Sequence, residues 1–421
     1  MRVLVVSHNC FCMTENMGKT LYSYFSEFEN SEIFQFFIYN SIPEIGLCKN
    51  YYRVTDIDIL KSIFTRKSGK IFKDEISDFE ISEKSYSSLY QKGRRRTPFI
   101  YFARNLIWKL GAWKTKKLKK WLDEINPDLV FFASGDYAFM YNVANFIADY
   151  KKIPLFVCCM DDYYINNKNK DKFGGKIVHR SFVKQVNKTM NKCSAIFCIC
   201  DKMASDYSKL FSKKCYVLHT SSTLDKPLEK TNSCDKICYI GNLGFKRYEQ
   251  LIDIGRELKG FGRVLDVYSG EKRIECIKDL TPGNGISFHG KINYDEVLNV
   301  MANSSVLVHV ESFDSKIREE VKYSVSTKIA DSLASGTCLL AYGPPDIASI
   351  EYLKENDCAC VITKKGELYE RLSAIIGDEK LRNHYVKNAL VVAENNHNAE
   401  KNSKFLQTIL NEAMLKGNDK L

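Results

Sequence analysis

The chain has 421 residues, of which 45% are hydrophobic and 27% charged, with a formal net charge of +11. That length exceeds one typical core and predicts two domains, and the composition excludes a disordered chain. No apolar run approaches the roughly 18 residues of a spanning helix, and Val3 to Val6 is too short for a signal peptide. The expectation is a cytoplasmic protein.

Val3 to Val6 is a buried strand that ends at Ser7-His8-Asn9, and Gly18-Lys19-Thr20 opens a helix to about Phe28. A Walker A loop would need a glycine where Met13 stands, so that reading fails. A strand, a loop, a glycine and a helix remain; Gly18 then serves either a phosphate contact or a plain turn. Glu32 to Tyr39 is a second strand, and residues 50 to 100 show no clear pattern. A helix is predicted from Tyr101 to Glu124, then a strand over Leu129–Ala133, a helix over Phe139–Tyr150 and a strand over Pro154–Met160. Asp161-Asp162 follows at a strand terminus, where open α/β sheets place their chemistry. A long helix (Lys176–Lys192) and strands at Ala195–Cys200 and Tyr216–Leu218 complete the first half.

Residues 221–235, polar and with a proline, are a plausible linker. The pattern then restarts: strand Ile237–Ile240, Gly241, a short loop and a helix over Tyr248–Leu258. Strands follow at Val264–Tyr268, Ile286–His289 and Val306–Val310, with a helix at Tyr294–Ala302. Two such openings predict an α/β protein of two Rossmann-like lobes with a cleft between them.

Fifteen cysteines raise disulfides or metal as possibilities. Cys158, Cys159, Cys198, Cys200, Cys238 and Cys338 lie in apolar strand-like runs, where cysteine acts as a small hydrophobe. The count is odd, there is no C-x-x-C pair, and no histidine cluster has zinc-ligand spacing. Reduced thiols and no metal are expected.

The charge is concentrated. Between Gln91 and Leu122 there are eleven basic residues and no acidic one, together with all three tryptophans. Arg94, Arg95, Arg96, Lys116, Lys117, Lys119 and Lys120 form the densest part. Core packing is the expectation for the three tryptophans, with Trp108, Leu110 and Trp121 on the face of the helix turned to the sheet. The cations are too many to bury, so they predict contact with an anionic membrane surface. A nucleic-acid partner is the rival for such density, but the rest of the chain is near neutral and carries no nucleic-acid module.

The segment Ser326 to Pro345, STKIADSLASGTCLLAYGPP, combines two hydroxyls and Lys328 at a helix start with a glycine stop and an apolar strand. Its free N–H groups, dipole and ammonium could hold a phosphate; an ordinary capped helix is the alternative.

S-T-K-x-x-D-x-L-A-x-G followed by an apolar strand resembles the donor segment of retaining GT-B glycosyltransferases of the family-4 (group 1), surface-polysaccharide type. The resemblance runs over most of the chain and is specific in the second half. It implies an acceptor-binding lobe (1–220), a linker (221–235), a nucleotide-sugar lobe (236–395) and a helix crossing back to the first lobe (396–421). It also implies metal-independent transfer of a sugar, with retention, from a nucleotide-diphosphate sugar to a glycan or lipid-linked acceptor at the inner face of the membrane, with no cofactor.

Carried over position by position, the resemblance puts Gly241, Ser326, Thr327, Lys328 and the backbone around Lys291 on the donor. Asn242 replaces the usual arginine after Gly241, so Lys246 or Arg247 would grip the diphosphate. Glu311 matches the acidic residue near the donor sugar and Asp331 the one at the ribose. Nineteen residues separate them where the family has seven, and the insertion DSKIREEVKY would form a loop over the donor. Asp161 and Asp162 occupy the place of a His-Asp pair near the acceptor, Asp161 as a catalytic residue and Asp162 as an acceptor contact. A nucleotide-sugar epimerase of the same fold is the nearest rival enzyme.

Overall fold

The protein is described here from a computed structural model that covers residues 1–12, 16–43, 46–73, 97–165, 173–230 and 236–418. Two compact units divide it, Met1–His219 with Asn402–Leu421, and Thr220–Lys401.

In the first unit the short apolar runs become strands buried on both faces, as a sheet covered by helices requires. They are β1 (Arg2–Ser7), β2 (Glu32–Phe37), β3 (Asn50–Arg53), β4 (Lys70–Lys73), β5 (Leu129–Ser134), β6 (Leu155–Cys159), β7 (Ala195–Cys198) and β8 (Cys215–Val217). The sheet order is β4-β3-β2-β1-β5-β6-β7-β8. Every pair is parallel except β3 with β4. The helices are α1 (Asn16–Phe25), α2 (Asp56–Thr65), α3 (Pro98–Leu110), α4 (Lys116–Ile125), α5 (Ala138–Lys151), α6 (Gly175–Lys192) and α7 (Asp201–Phe211).

The second unit repeats the plan with β9 (Lys236–Ile240), β10 (Leu265–Tyr268), β11 (Ile286–Gly290), β12 (Ser304–Val310), β13 (Cys338–Tyr342) and β14 (Cys360–Ile362). Its all-parallel order is β11-β10-β9-β12-β13-β14. Its helices are α8 (Arg247–Gly260), α9 (Tyr294–Ala302), α10 (Ser315–Val321), α11 (Thr327–Ala334), α12 (Ala348–Glu355), α13 (Leu368–Gly377) and α14 (Glu379–Asn396). A final helix, α15 (Ala399–Asn418), runs from this unit into the first. Leu406 and Leu410 on it are buried with Val3, Val5 and Phe131 of the first core. Ser403 Oγ donates to the Tyr24 carbonyl at 2.8 Å.

Three expectations change. The helix expected over Tyr101–Glu124 is two helices, because the chain turns at Gly111. A Cβ there would lie 2.5 Å from Ile59 and 2.9 Å from the Ile107 carbonyl. Thr115 then caps α4, accepting from the Leu118 amide at 3.1 Å. The DSKIREEVKY insertion is a short helix, α10, capped by Asp314, in place of a loop. Residues 221–230 of the expected linker are built into the second unit: Ser222 and Thr223 bond Asp331, and Lys230 Nζ reaches the Met301 carbonyl. Residues 231–235 lie outside the described residues.

All three tryptophans are buried, but Leu110, expected on the same face, is exposed at the last turn of α3. Trp108 stacks on Phe139 at 4.3 Å and donates to Asp56 at 2.8 Å; Trp121 donates to Asn50 at 2.8 Å. Arg104, counted among the surface cations of its stretch, is buried as well. Its guanidinium bonds Asp56 at 3.2 Å and lies 3.8 Å over the Tyr137 ring. The described cysteines are free thiols, and most of them are buried.

Candidate functional site

The second sheet reverses its winding between β9 and β12. At such a switch point the carboxyl ends of neighbouring strands part and leave a crevice for a ligand. A cavity of ≈ 440 Å³ opens beyond the carboxyl ends of β9, β10 and β11, beside that point, lined by Gly241, Asn242, Ser269, Glu271, Lys291 and Lys328 among others. Each follows a strand terminus except Lys328, which comes from the first turn of α11. Ser326 caps that helix through the Lys328 amide at 3.4 Å. Ser326 and Thr327 are not among the residues lining the cavity.

Gly241 has a steric reason. A Cβ would stand 2.7 Å from the Tyr239 hydroxyl and 3.1 Å from Lys328 Nζ, so a side chain would push the ammonium out of place. The Tyr239 hydroxyl in turn donates to the Asn242 carbonyl at 2.7 Å and fixes the loop after β9.

The wall carries two ammonium groups, Lys291 and Lys328, and one carboxylate, Glu271. Glu271 is neutralised locally. It accepts from Arg273 at 2.6 Å and from the amides of Lys272 and Arg273 at 3.0 Å each. The Arg273 hydrogen bond, helped by those amides, holds its carboxyl down at about 2. The surplus charge on the wall is positive and suits an anionic ligand.

Next along the sheet, Arg247 and Glu311 form a bidentate pair, Nη2 to the two carboxylate oxygens at 2.9 and 3.0 Å. Glu311 is 1% exposed and Arg247 16%. Burial pushes the Glu311 carboxyl up, and the guanidinium opposes the rise. His309, 3.5 Å from the same carboxylate, is pushed down to about 3 by burial, then by the charges of Arg247 and Lys328. Lys246 bonds Asp314, at the start of α10, at 2.8 Å. The insertion is thereby tied to the loop that precedes α8.

Asp331, expected at the ribose, uses Oδ1 to accept from Ser222 Oγ, the Thr223 amide and Thr223 Oγ1 at 2.8–3.0 Å. It anchors the start of the unit. The structure therefore brings together Gly241, Lys291 and Lys328 at the cavity, and links Arg247 to Glu311 and Lys246 to Asp314 as pairs. Tyr239, Glu271, Arg273 and Asp314 were not foreseen. Only the S-G-E-x-R run after β10 gave a signal, as a strand end followed by a glycine.

Residues 253–408 match the model of a glycosyl transferase-like family. The match leaves Gly241, Lys246 and Arg247 outside it. No curated protein sequence matches the chain. Among solved structures, HepE of Anabaena in complex with UDP superposes with a TM-score of 0.64 at 11% identity, covering 98% of this chain and 100% of its own. The fold is GT-B. Sucrose-phosphate synthase from Thermosynechococcus elongatus gives 0.62 at 9% identity, covering 99% of both chains. WaaG, a glycosyltransferase involved in lipopolysaccharide biosynthesis, gives 0.56 at 12% identity, covering 96% and 98%.

In the first lobe of this GT-B fold, Asp161 and Asp162 follow β6. Asp162 is 1% exposed. Its Oδ1 accepts from the amides of Tyr164 and Ile165 at 3.0 Å and from the Tyr207 hydroxyl at 2.7 Å. It caps the turn and faces inward. Asp161 is half-buried and accepts from the Asp162 amide at 2.9 Å. Gly18 lies inside α1, since the helix begins at Asn16, and packs where a Cβ would meet the Cys10 carbonyl at 2.5 Å. That close approach accounts for the glycine. Lys116, Lys117, Lys119 and Lys120 are exposed on α4, whereas Arg94, Arg95 and Arg96 lie outside the described residues. Among the described residues no cluster of three or more His, Cys, Asp or Glu could hold a metal ion. No described helix is long and apolar enough to cross a membrane.

Proposed function

We propose that the chain is a glycosyltransferase that takes a sugar from a nucleotide-diphosphate donor bound in the second unit. The observation that carries this is the cavity beyond the carboxyl ends of β9, β10 and β11, with its two lysines and the close approach of Lys328 to Gly241. The glycosyl transferase-like match over residues 253–408 supports the chemistry, and the UDP bound by HepE supports the ligand class. Lys291 and Lys328 would neutralise the departing diphosphate, the work a divalent ion does elsewhere. The reaction would proceed with retention and without metal. Glu311 would act on the donor side, oriented by Arg247, and Asp161 on the acceptor side in the first unit.

The acceptor in this reading is a glycan or a lipid-linked glycan, reached at an anionic membrane surface through the lysines of α4. Proton inventory favours transfer over epimerisation: the lining offers cations and one carboxylate already held by Arg273, and no paired acid and base. Thermal unfolding of the full chain with nucleoside diphosphates and their sugars tests the assignment, because a ligand that binds only the folded state raises the transition. Stabilisation by a nucleoside diphosphate, lost in Lys328→Ala and Lys291→Ala, is expected. No shift with any nucleotide would overturn the reading.

A further inference from the structure

Helix α3 is largely inside out. Of its two charged residues, Arg104 faces the protein and pairs with Asp56, beside buried Tyr101 and Trp108, and only Lys109 is exposed. The rest of its solvent side is mainly apolar: Phe99 is 75% exposed, Phe102 56% and Leu110 55%, with Leu106 between them. The spacing of i, i+3, i+7 and i+11 places these four on a single stripe. Helices α2 and α6, which both pack against α3, expose Phe64 and Ile177 in turn.

Large exposed apolar side chains grouped in this way mark an interaction surface. The surrounding charge identifies the partner. α3 and α6 contain no acidic residue, the two carboxylates of α2, Asp56 and Asp58, are engaged by Arg104 and by the Thr55 capping box, and the one carboxylate of α5, which also packs on α3, is Asp149, paired with Lys192. The exposed ionisable groups on α2, α3 and α6 are cations: Lys61, Lys109, Lys176, Arg180, Lys184, Lys188 and Lys192, the last paired with Asp149. A second copy of the chain would bring two basic collars together and be repelled. A bilayer with anionic headgroups and an apolar interior satisfies the collar and the stripe at once.

We propose that the stripe Phe99, Phe102, Leu106 and Leu110 inserts into the acyl layer of an anionic membrane. This deepens the membrane contact proposed above: the lysines of α4 bring the protein to the surface by charge, and α3 holds it there by insertion.

A Phe102→Trp reporter tests this in the full chain, using vesicles of phosphatidylcholine with or without phosphatidylglycerol. Anionic vesicles should shift its emission to the blue, and brominated acyl chains should quench it. Phe99→Gln with Leu106→Gln should weaken co-sedimentation about tenfold or more, since each ring or chain loses its apolar burial. Binding that survives in high salt should vanish in the same pair. An unchanged spectrum with anionic vesicles, or sedimentation unaffected by the pair, overturns insertion. A blue shift without lipid that grows with protein concentration means self-association and overturns it too. Nucleotide binding measured on the same variants keeps the outcomes separate: its absence sinks the transferase reading and leaves the surface standing.

Discussion

Removing the guanidinium of Arg247 strands the Glu311 carboxylate, which is 1% exposed and has its two oxygens on Nη2 at 2.9 and 3.0 Å. Breaking a buried pair by deleting one partner costs about 3–5 kcal/mol, whereas an exposed pair is worth roughly 0–1. For a unit of this size that corresponds to a fall in Tm of about 6–20 °C in Arg247→Met. Replacing both partners, Arg247→Met with Glu311→Leu, should recover most of the loss, because no charge is left buried. Calorimetry of the full chain would give the four corners of the cycle, with a coupling energy of about 2 kcal/mol or more expected. A loss below about 1 kcal/mol in Arg247→Met, additive with Glu311→Leu, would refute the buried-pair argument. The double variant also separates two diphosphate ligands. If Arg247 grips the donor, nucleotide binding falls by about 1.5–3 kcal/mol even though the fold is intact. If Lys246 does, binding survives there and is lost in Lys246→Ala.

The remaining expectations are brief. His309 has a folded pKa of about 3 against 6.5 in the unfolded chain, so below pH 6.5 the unfolded state takes up a proton that the folded state refuses. Stability is full above 6.5 and drains as pH falls toward 3; chemical denaturation of His309→Asn across this window should show a shallower acid slope. Asp162→Ala removes the acceptor for two amides and a buried hydroxyl. It should cost about 1–3 kcal/mol by denaturant unfolding, chiefly from the buried Tyr207 hydroxyl, since the two amides lie on residues that water can reach, while nucleotide affinity stays the same. Transfer should survive chelation; activity abolished by EDTA and restored by a divalent ion would require a metal site that includes residues outside those described.

Both lobes were legible in the sequence because the strands buried on two faces are nearly continuous apolar runs, such as VLVV, LVFFA and CLLAY. β3 and β4 were not legible. KIFK is the edge strand, where only Phe72 is covered, and NYYR is buried at three of its four positions but spends one of them on Arg53, so neither is an apolar run. The break at Gly111 was hidden for a different reason: amphipathic spacing on both sides of it reads as one helix, and only the packing of Ile59 shows why the chain must turn. At the site, Gly241 and Lys328 could be found from local pattern. The burial that pairs Arg247 with Glu311 and turns Asp162 inward is tertiary and leaves no local mark. The inverted polarity of α3 lay in plain view as PFIYFARNLIWKL, but which face is outward depends on Asp56, some fifty residues away.

The return of α15 to the first unit carries a consequence for biosynthesis. Val3, Val5 and Phe131 share their core with Leu406 and Leu410. A ribosome therefore releases the whole second unit before the first can close over its own interior. Domains usually fold in the order in which they emerge. Here the first unit cannot complete its interior until the second has emerged. A stop codon at position 402 would remove none of the residues that line the cavity of the second unit, yet it would take Leu406 and Leu410 out of the core behind the amino-terminal sheet.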